Sequence, residues 1–119
     1  MKNIKNLAQE CAKKYDYVWC FAYSPDWKSF IFSAEKDGKR ILVKDWIESE
    51  KYDYISNFQF FLDGKSFAFV VEKNWKYILV KDWIESEKYD YIWNFEYSKD
   101  WKSFTFVAKK DWKWGIFVM

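Results

Sequence analysis

Residues 41–55 read ILVKDWIESEKYDYI, and residues 78–92 read ILVKDWIESEKYDYI again without a change. The offset is 37 residues, and the tetrapeptide KYDY carries it further, recurring at 14–17, 51–54 and 88–91. Identity of this length at a fixed offset marks the duplication of a whole structural unit. The chain therefore divides into an N-terminal helical capping segment, 1–14, and a β-repeat domain, 15–119, with repeats 15–51, 52–88 and 89–119. The Leu, Ala, Gln, Glu and Lys of MKNIKNLAQECAKK favour the short helix.

Inside a repeat the pattern is strand, turn, strand, turn. Tyr17, Trp19, Phe21 and Tyr23 alternate along the first strand, with Tyr91, Trp93, Phe95 and Tyr97 as their counterparts in the third copy. Such period-two alternation describes a half-buried strand. The opposite side, Cys20 and Ala22, becomes Asn94 and Glu96 and is read as the wetter one. A turn at Asp26 leads to a second strand bearing Phe30, Phe32 and Ala34. A turn at 36–39 leads to the third, RILVK, and a turn near Asp45 leads to a fourth, placed at about 50–54. Hairpins at this spacing predict an all-β fold of antiparallel meanders. The columns Tyr15/Tyr52/Tyr89, Tyr17/Tyr54/Tyr91 and Phe21/Phe58/Phe95 are expected to form the core between stacked sheets.

The turns carry an anomaly. Aligned by the repeat, the first turn slot holds Trp27, Gly64 and Trp101, the second Gly38, Trp75 and Trp112, and the third Trp46 and Trp83. Each follows an Asp or Asn, and no other residue type occupies these slots. Glycine enters positive φ freely, whereas a residue with a Cβ pays roughly 1–2 kcal/mol there. Physics does not make the two interchangeable. One reading is an aromatic binding surface made of Trp27, Trp46, Trp75, Trp83, Trp101 and Trp112, suited to stacking on sugars or bases. Another is packing against a neighbouring repeat. The preferred reading lies in the gene. The codons GGA and UGA differ by a single base, and some bacterial lineages read UGA as glycine. Decoding such a gene as if UGA meant tryptophan places Trp in a scattered subset of glycine positions.

Composition limits the function. A quarter of the 119 residues are aromatic, which argues for a folded core, and the net charge of +2 gives no field for nucleic acid or an anionic membrane. The chain has no histidine, hence neither the commonest general base nor the commonest zinc ligand. Cys11 and Cys20 lie outside any C-x-x-C spacing and are read as free thiols in a reducing compartment. No signal peptide or membrane span is visible, so a cytoplasmic location is expected. There is no phosphate loop, nucleophile elbow or metal spacing, so neither a catalytic residue set nor a cofactor nor a metal is expected.

The carboxylates have simpler uses. Asp26, Asp63 and Asp100, with Asp37, Asn74 and Asp111, are expected to bond turn backbone. Asp16, Asp53 and Asp90 either link successive units or line a polar ring. Glu48-Ser49-Glu50 and Glu85-Ser86-Glu87 read as a solvated edge.

With glycine in the turn slots, the repeat resembles the WD40-like β-propeller repeat of the TolB type, whose blades carry an F-S-P-D-G-K-x-[IL]-[AV]-[FY] core. Tyr23, Ser24, Pro25, Asp26, Lys28, Ser29, Phe30 and Phe32 match it. So do Phe60, Asp63, Gly64, Lys65, Ser66, Phe67, Ala68 and Phe69, and then Tyr97, Ser98, Asp100, Lys102, Ser103, Phe104 and Phe106. Pro25 has no counterpart in the later copies. The unit is also similar to WG repeats, through DWKWG at 111–115 and the KYDY segments. Fewer than three full blades cannot close a ring, and an open array leaves unpaired edges and apolar end faces, so self-association is expected. The resemblance implies a non-enzymatic scaffold for protein interaction, either a homo-oligomer or a fragment of a longer repeat protein. The alternative is a carbohydrate or small-ligand binder using the exposed Trp and Tyr of the turns.

The coding DNA is expected to carry UGA at 27, 46, 75, 83, 101 and 112, and UGG at the strand positions 19, 93 and 114. Direct sequencing that found UGG at the six turn positions would remove the genetic reading.

Overall fold

In the computed structural model, the described residues are 13–61, 66–98 and 103–119, with Cys20 described for its backbone alone. The expected N-terminal helix (bar 13–14), Cys11, Asp63, Gly64, Asp100 and Trp101 lie outside this set. Three antiparallel meanders succeed one another along the chain. β1 (Tyr17–Tyr23), β2 (Phe30–Lys36), β3 (Lys39–Lys44) and β4 (Ile47–Glu48) form the first sheet. β5 (Tyr54–Phe60), β6 (Phe67–Lys73), β7 (Lys76–Lys81) and β8 (Ile84–Tyr89) form the second. β9 (Tyr91–Tyr97), β10 (Phe104–Lys110) and β11 (Lys113–Val118) form the third. The fold is the all-β meander expected, and the sheets do not close into a barrel.

The sheets are stacked, and each has two apolar faces. On β6, Phe67, Phe69 and Val71 join Ile78 and Val80 of β7 against Ile31 and Leu42 of the first sheet. The alternate residues Ala68, Val70 and Leu79 face the third sheet, where Phe104, Phe106 and Ala108 meet them. Every one of these side chains is at most 4% exposed, and each ring removed from water supplies roughly 1.5–3 kcal/mol. The run FAFVV is apolar at both parities because both its faces are covered.

The hairpins have the geometry that the turn slots foretell. Both central residues have positive φ at Asp37–Gly38 (55° and 77°), Asp45–Trp46 (51° and 67°), Asn74–Trp75 (52° and 68°), Asp82–Trp83 (51° and 68°) and Asp111–Trp112 (52° and 65°). That is the signature of the type I′ turn, which matches the twist of the flanking strands and selects Asn-Gly or Asp-Gly. Trp27, at φ 63°, belongs to a turn closed by its own N–H donating to the Ser24 carbonyl at 2.9 Å. Asp26 accepts from the Ser24 hydroxyl at 2.6 Å and from the Lys28 N–H at 3.1 Å, so its role there is to bond the turn. Every described turn tryptophan thus occupies left-handed backbone. Trp19, Trp93 and Trp114, in strands, do not.

Two expectations need correction. The strand alternation does not hold through the first strand of each repeat, because each carries a β-bulge. The register slips between Trp19 and Ala22, between Ser56 and Gln59, and opposite Val107–Ala108, where Trp93 is the extra residue. A bulge inverts the parity of the residues beyond it. The Tyr17/Tyr54/Tyr91 column therefore points outward, 63%, 49% and 42% exposed, while Ile55 and Ile92 are buried. Phe95 is buried but Phe21 is exposed, so that column is core only toward its third member. Tyr15, Tyr52 and Tyr89 are buried as expected. The fourth strand also starts earlier than about 50–54. It is β4 at Ile47–Glu48 and β8 at Ile84–Tyr89, and the bridge between Arg40 and Tyr52 repeats the pairing of Tyr77 with Tyr89.

Replacing Trp75 by Gly relieves the left-handed strain at a residue that buries almost nothing. The urea midpoint is expected to rise by the equivalent of about 1 kcal/mol. Trp83 has the same φ but packs edge-on against Phe67 and Phe69, at 5.1 and 6.2 Å between centroids. Its replacement by Gly is expected to show a smaller gain or a loss, and equal gains at both sites would contradict the strain argument.

Candidate functional site

The far side of the third sheet is open. Thr105, Val107 and Ile116 stand at the repeat positions of Ala68, Val70 and Leu79, and of Ile31, Ser33 and Leu42. Leu42 and Leu79 are fully buried beneath the next sheet, whereas Ile116 is 76% exposed. Val118, Trp93 and Trp114 surround it at 73%, 63% and 56%. Trp93, Val107 and Trp114 line an apolar hollow of about 570 Å³. The opposite end of the stack is closed. Phe32, Ala34, Ile41 and Val43 of the first sheet are at most 2% exposed, with Tyr15, Val18, Phe30 and Trp46 packed on them.

A second surface runs along the hairpin tips. Trp75, Tyr91, Trp112 and Trp114 surround a cleft of about 570 Å³, with Lys76, Asp90 and Lys109 at its polar side. The Lys109 ammonium sits 4.8 Å from the Trp112 ring centroid. Behind this cleft Asp90 joins two sheets. One carboxylate oxygen accepts from Lys76 Nζ at 2.6 Å and the other from the Trp112 N–H at 3.1 Å. Asp53 does the same one repeat earlier, bridging Lys39 to the Asn74 N–H. Of the two uses open to the KYDY aspartates, the geometry of Asp53 and Asp90 is that of links between units.

A third surface lies between the first two sheets. Trp19, Ser33 and Arg40 of one and Tyr54, Ser56, Asn57 and Phe58 of the other line a groove of about 530 Å³. The Arg40 guanidinium carbon stands 4.3 Å from the Trp19 ring centroid and 5.2 Å from that of Tyr54.

The five described turn tryptophans do not form one surface. Trp75 and Trp112 meet at the hairpin cleft. Trp46 stacks edge-on against Phe30 and Phe32, as Trp83 does against Phe67 and Phe69, and Trp27 leans on Tyr23 at 5.4 Å. Trp101 is outside the described residues. The acidic edge is exposed as expected but also bonded: Tyr15 donates to Glu48 and Tyr52 to Glu85, each at 2.8 Å. Burial, and then that carboxylate, pushes the Tyr52 hydroxyl well above the usual phenol range. Ser49 and Ser86 hydroxyls accept from the Leu42 and Leu79 N–H groups, filling the ladder where the fourth strand diverges.

Sequence reasoning anticipated apolar end faces in an open array but passed over Arg40, visible as the chain's only arginine. Among the described residues no cluster of His, Cys, Asp and Glu is placed to hold a metal ion, and no helix is long and apolar enough to cross a membrane. No family model, curated protein or solved structure matches the chain.

The linking carboxylates predict an acid response. Hydrogen bonds from Lys39 and Lys76, and then from the backbone N–H groups, hold Asp53 and Asp90 below the ordinary carboxylate range. A carboxyl depressed in the folded state stabilises above its unfolded pKa and loses that contribution as pH falls through the folded value. Thermal midpoints are expected to drop between about pH 5 and about pH 2, and the drop is expected to shrink in an Asp53→Asn, Asp90→Asn double variant. The same variant is expected to melt lower than the parent at neutral pH. An unaltered acid profile would show that the links carry no stability.

Proposed function

We propose that this chain is a non-enzymatic, propeller-blade-like repeat module for protein interaction, and that the open face of its third sheet is the interacting surface. One observation supports this above others: Leu42 and Leu79 are fully buried, and Ile116, their repeat equivalent, is 76% exposed. A contiguous apolar patch of this kind is a recognised mark of an interaction site.

The occupant we assign is a second copy of the chain. A head-to-tail array needs two open, complementary ends, and the first sheet's outer face is already covered. The open face must then meet another open face, giving an isologous pair about a two-fold axis, which closes and does not propagate. Trp93 and Trp114 serve such a contact as large, stiff aromatic anchors.

The carbohydrate reading draws on the cleft between Trp75 and Trp112, 86% and 80% exposed. Both side chains stand on left-handed backbone, in slots where a glycine codon is the preferred reading, so this reading depends on the gene in a way the open face does not.

Sedimentation velocity across the micromolar range is expected to show a monomer–dimer equilibrium. Ile116→Lys and Val118→Lys are expected to shift it to monomer without loss of β-sheet circular dichroism. Ile47→Lys, at another exposed apolar position on β4, is expected to leave it unchanged. A wild-type monomer throughout, or a ladder of higher species, would overturn the closed pair.

A further inference from the structure

The groove between the first two sheets differs from its repeat equivalents in a consistent direction. Trp19, Ser33 and Arg40 line its first wall. The same positions hold Ser56, Val70 and Tyr77 one repeat on, and Trp93, Val107 and Trp114 in the third. The stacking role of position 40 is met without any charge by Tyr77, whose ring lies 4.8 Å from that of Tyr91. Only in the first repeat do both Ser33 and Arg40 replace apolar or aromatic residues, and both line the same groove.

These polar groups are left with bonding capacity. Ser33 is 6% exposed, and its hydroxyl has no protein partner among the described residues. That hydroxyl lines the groove and can bond a ligand atom there. Arg40 makes no ion pair among the described residues, including with Glu35, which lies opposite it in the β2–β3 register. Its guanidinium carbon lies within 5.2 Å of both the Trp19 and the Tyr54 ring centroids, and these two contacts hold the guanidinium at the groove. Such a fixed fork matches a carboxylate in a bidentate pair. Phe21, Tyr54, Ile55 and Phe58 supply the apolar part of the lining, and the groove has the size of a small-molecule site.

We propose that this groove binds a small carboxylate carried on a six-membered ring, with Arg40 taking the carboxylate, Ser33 and Asn57 offering further hydrogen bonds, and the aromatic lining receiving a face of the ring. The chemistry is shared by aromatic acids and by uronic acids. Binding here uses neither the open face of the third sheet nor the turn tryptophans, so it stands or falls separately from the pairing proposed above.

The test is titration of the full-length protein with benzoate, with glucuronate and with the neutral isostere benzamide, monitored by calorimetry and by NMR of the Arg40 Nε–H and Trp19 indole N–H. Saturable binding of benzoate, of glucuronate or of both is expected, and identifies the source of the acid. Benzamide is expected not to compete. Arg40→Tyr installs the residue that the second repeat already accommodates, so the fold is retained, and affinity is expected to fall about tenfold or more. Arg40→Lys keeps the charge without the fork and is expected to fall between the two. Absence of binding by either acid, equal binding of benzamide, or unchanged affinity in Arg40→Tyr would each overturn the assignment.

Discussion

A sheet that is apolar on both faces cannot stand alone, and the whole molecule derives from that constraint. Phe67 and Phe69 point one way and Ala68 and Val70 the other, so the second sheet requires a neighbour on each side. The first and third sheets provide them. Each neighbour is built from the same repeat and inherits the same requirement, which moves outward until something ends it. At one end Phe32 and Val43 are fully buried, in a cluster with Tyr15, Val18, Phe30 and Trp46. At the other, Ile116 and Val118 face solvent. An uncovered apolar face thus follows from the repeat's two-sidedness.

The turns obey a different rule. Closing a two-residue hairpin in the right-handed twist demands left-handed backbone, and the chain meets this demand at every described I′ turn, whatever the second residue is. Gly38 at φ 77° and Trp75 at φ 68° do the same geometric work at different cost. The tryptophans then divide by what surrounds them. Trp46 and Trp83 fold back onto paired Phe rings and recover part of the strain as burial. Trp75 and Trp112, at hairpin tips, recover little. Strain without compensation at repeated positions is what substitution into a glycine slot looks like. It is not what a strained functional site looks like, because there surrounding contacts hold the outlier in place.

Reading the repeat gave the sheets, the hairpins and the turn backbone, since duplication and the Asp-Gly or Asp-Trp pairs are local signals. It misplaced the Tyr17, Tyr54 and Tyr91 column because a bulge leaves no mark in a period-two pattern. Tyr, Trp and Phe sit on both sides of it, and only the burial of Ile55 and Ile92 shows that the parity changed. The fourth strand was placed late for a related reason. Glu-Ser-Glu looks like loop, yet Ser49 and Ser86 continue the ladder through their hydroxyls. The surfaces were unevenly legible: an apolar end face follows from too few repeats to close a ring, whereas the groove does not. Arg40 is one cation among twenty Lys and Arg, and nothing local says that it stands between Trp19 and Tyr54.

Near-identity between repeats makes the departures informative. The stretch shared by 41–55 and 78–92 contains Asp45 and Asp82, which accept from the N–H groups at the starts of β2 and β6, and Asp53 and Asp90, which tie unit to unit. Those residues maintain the stack, and duplication kept them. Some of the changes fall at the sheet junctions. There Ser33 and Arg40 give way to Val70 and Tyr77, and then to Val107 and Trp114. Polarity thus declines along the stack, from a junction roofed by the next sheet to one without a roof. A roofed junction with polar walls suits a small, charged guest, and an unroofed apolar one suits another sheet. Positions 33 and 40 set the first junction apart from the second, and the open face differs further at Trp93 and Val118, where the second repeat has Ser56 and Lys81.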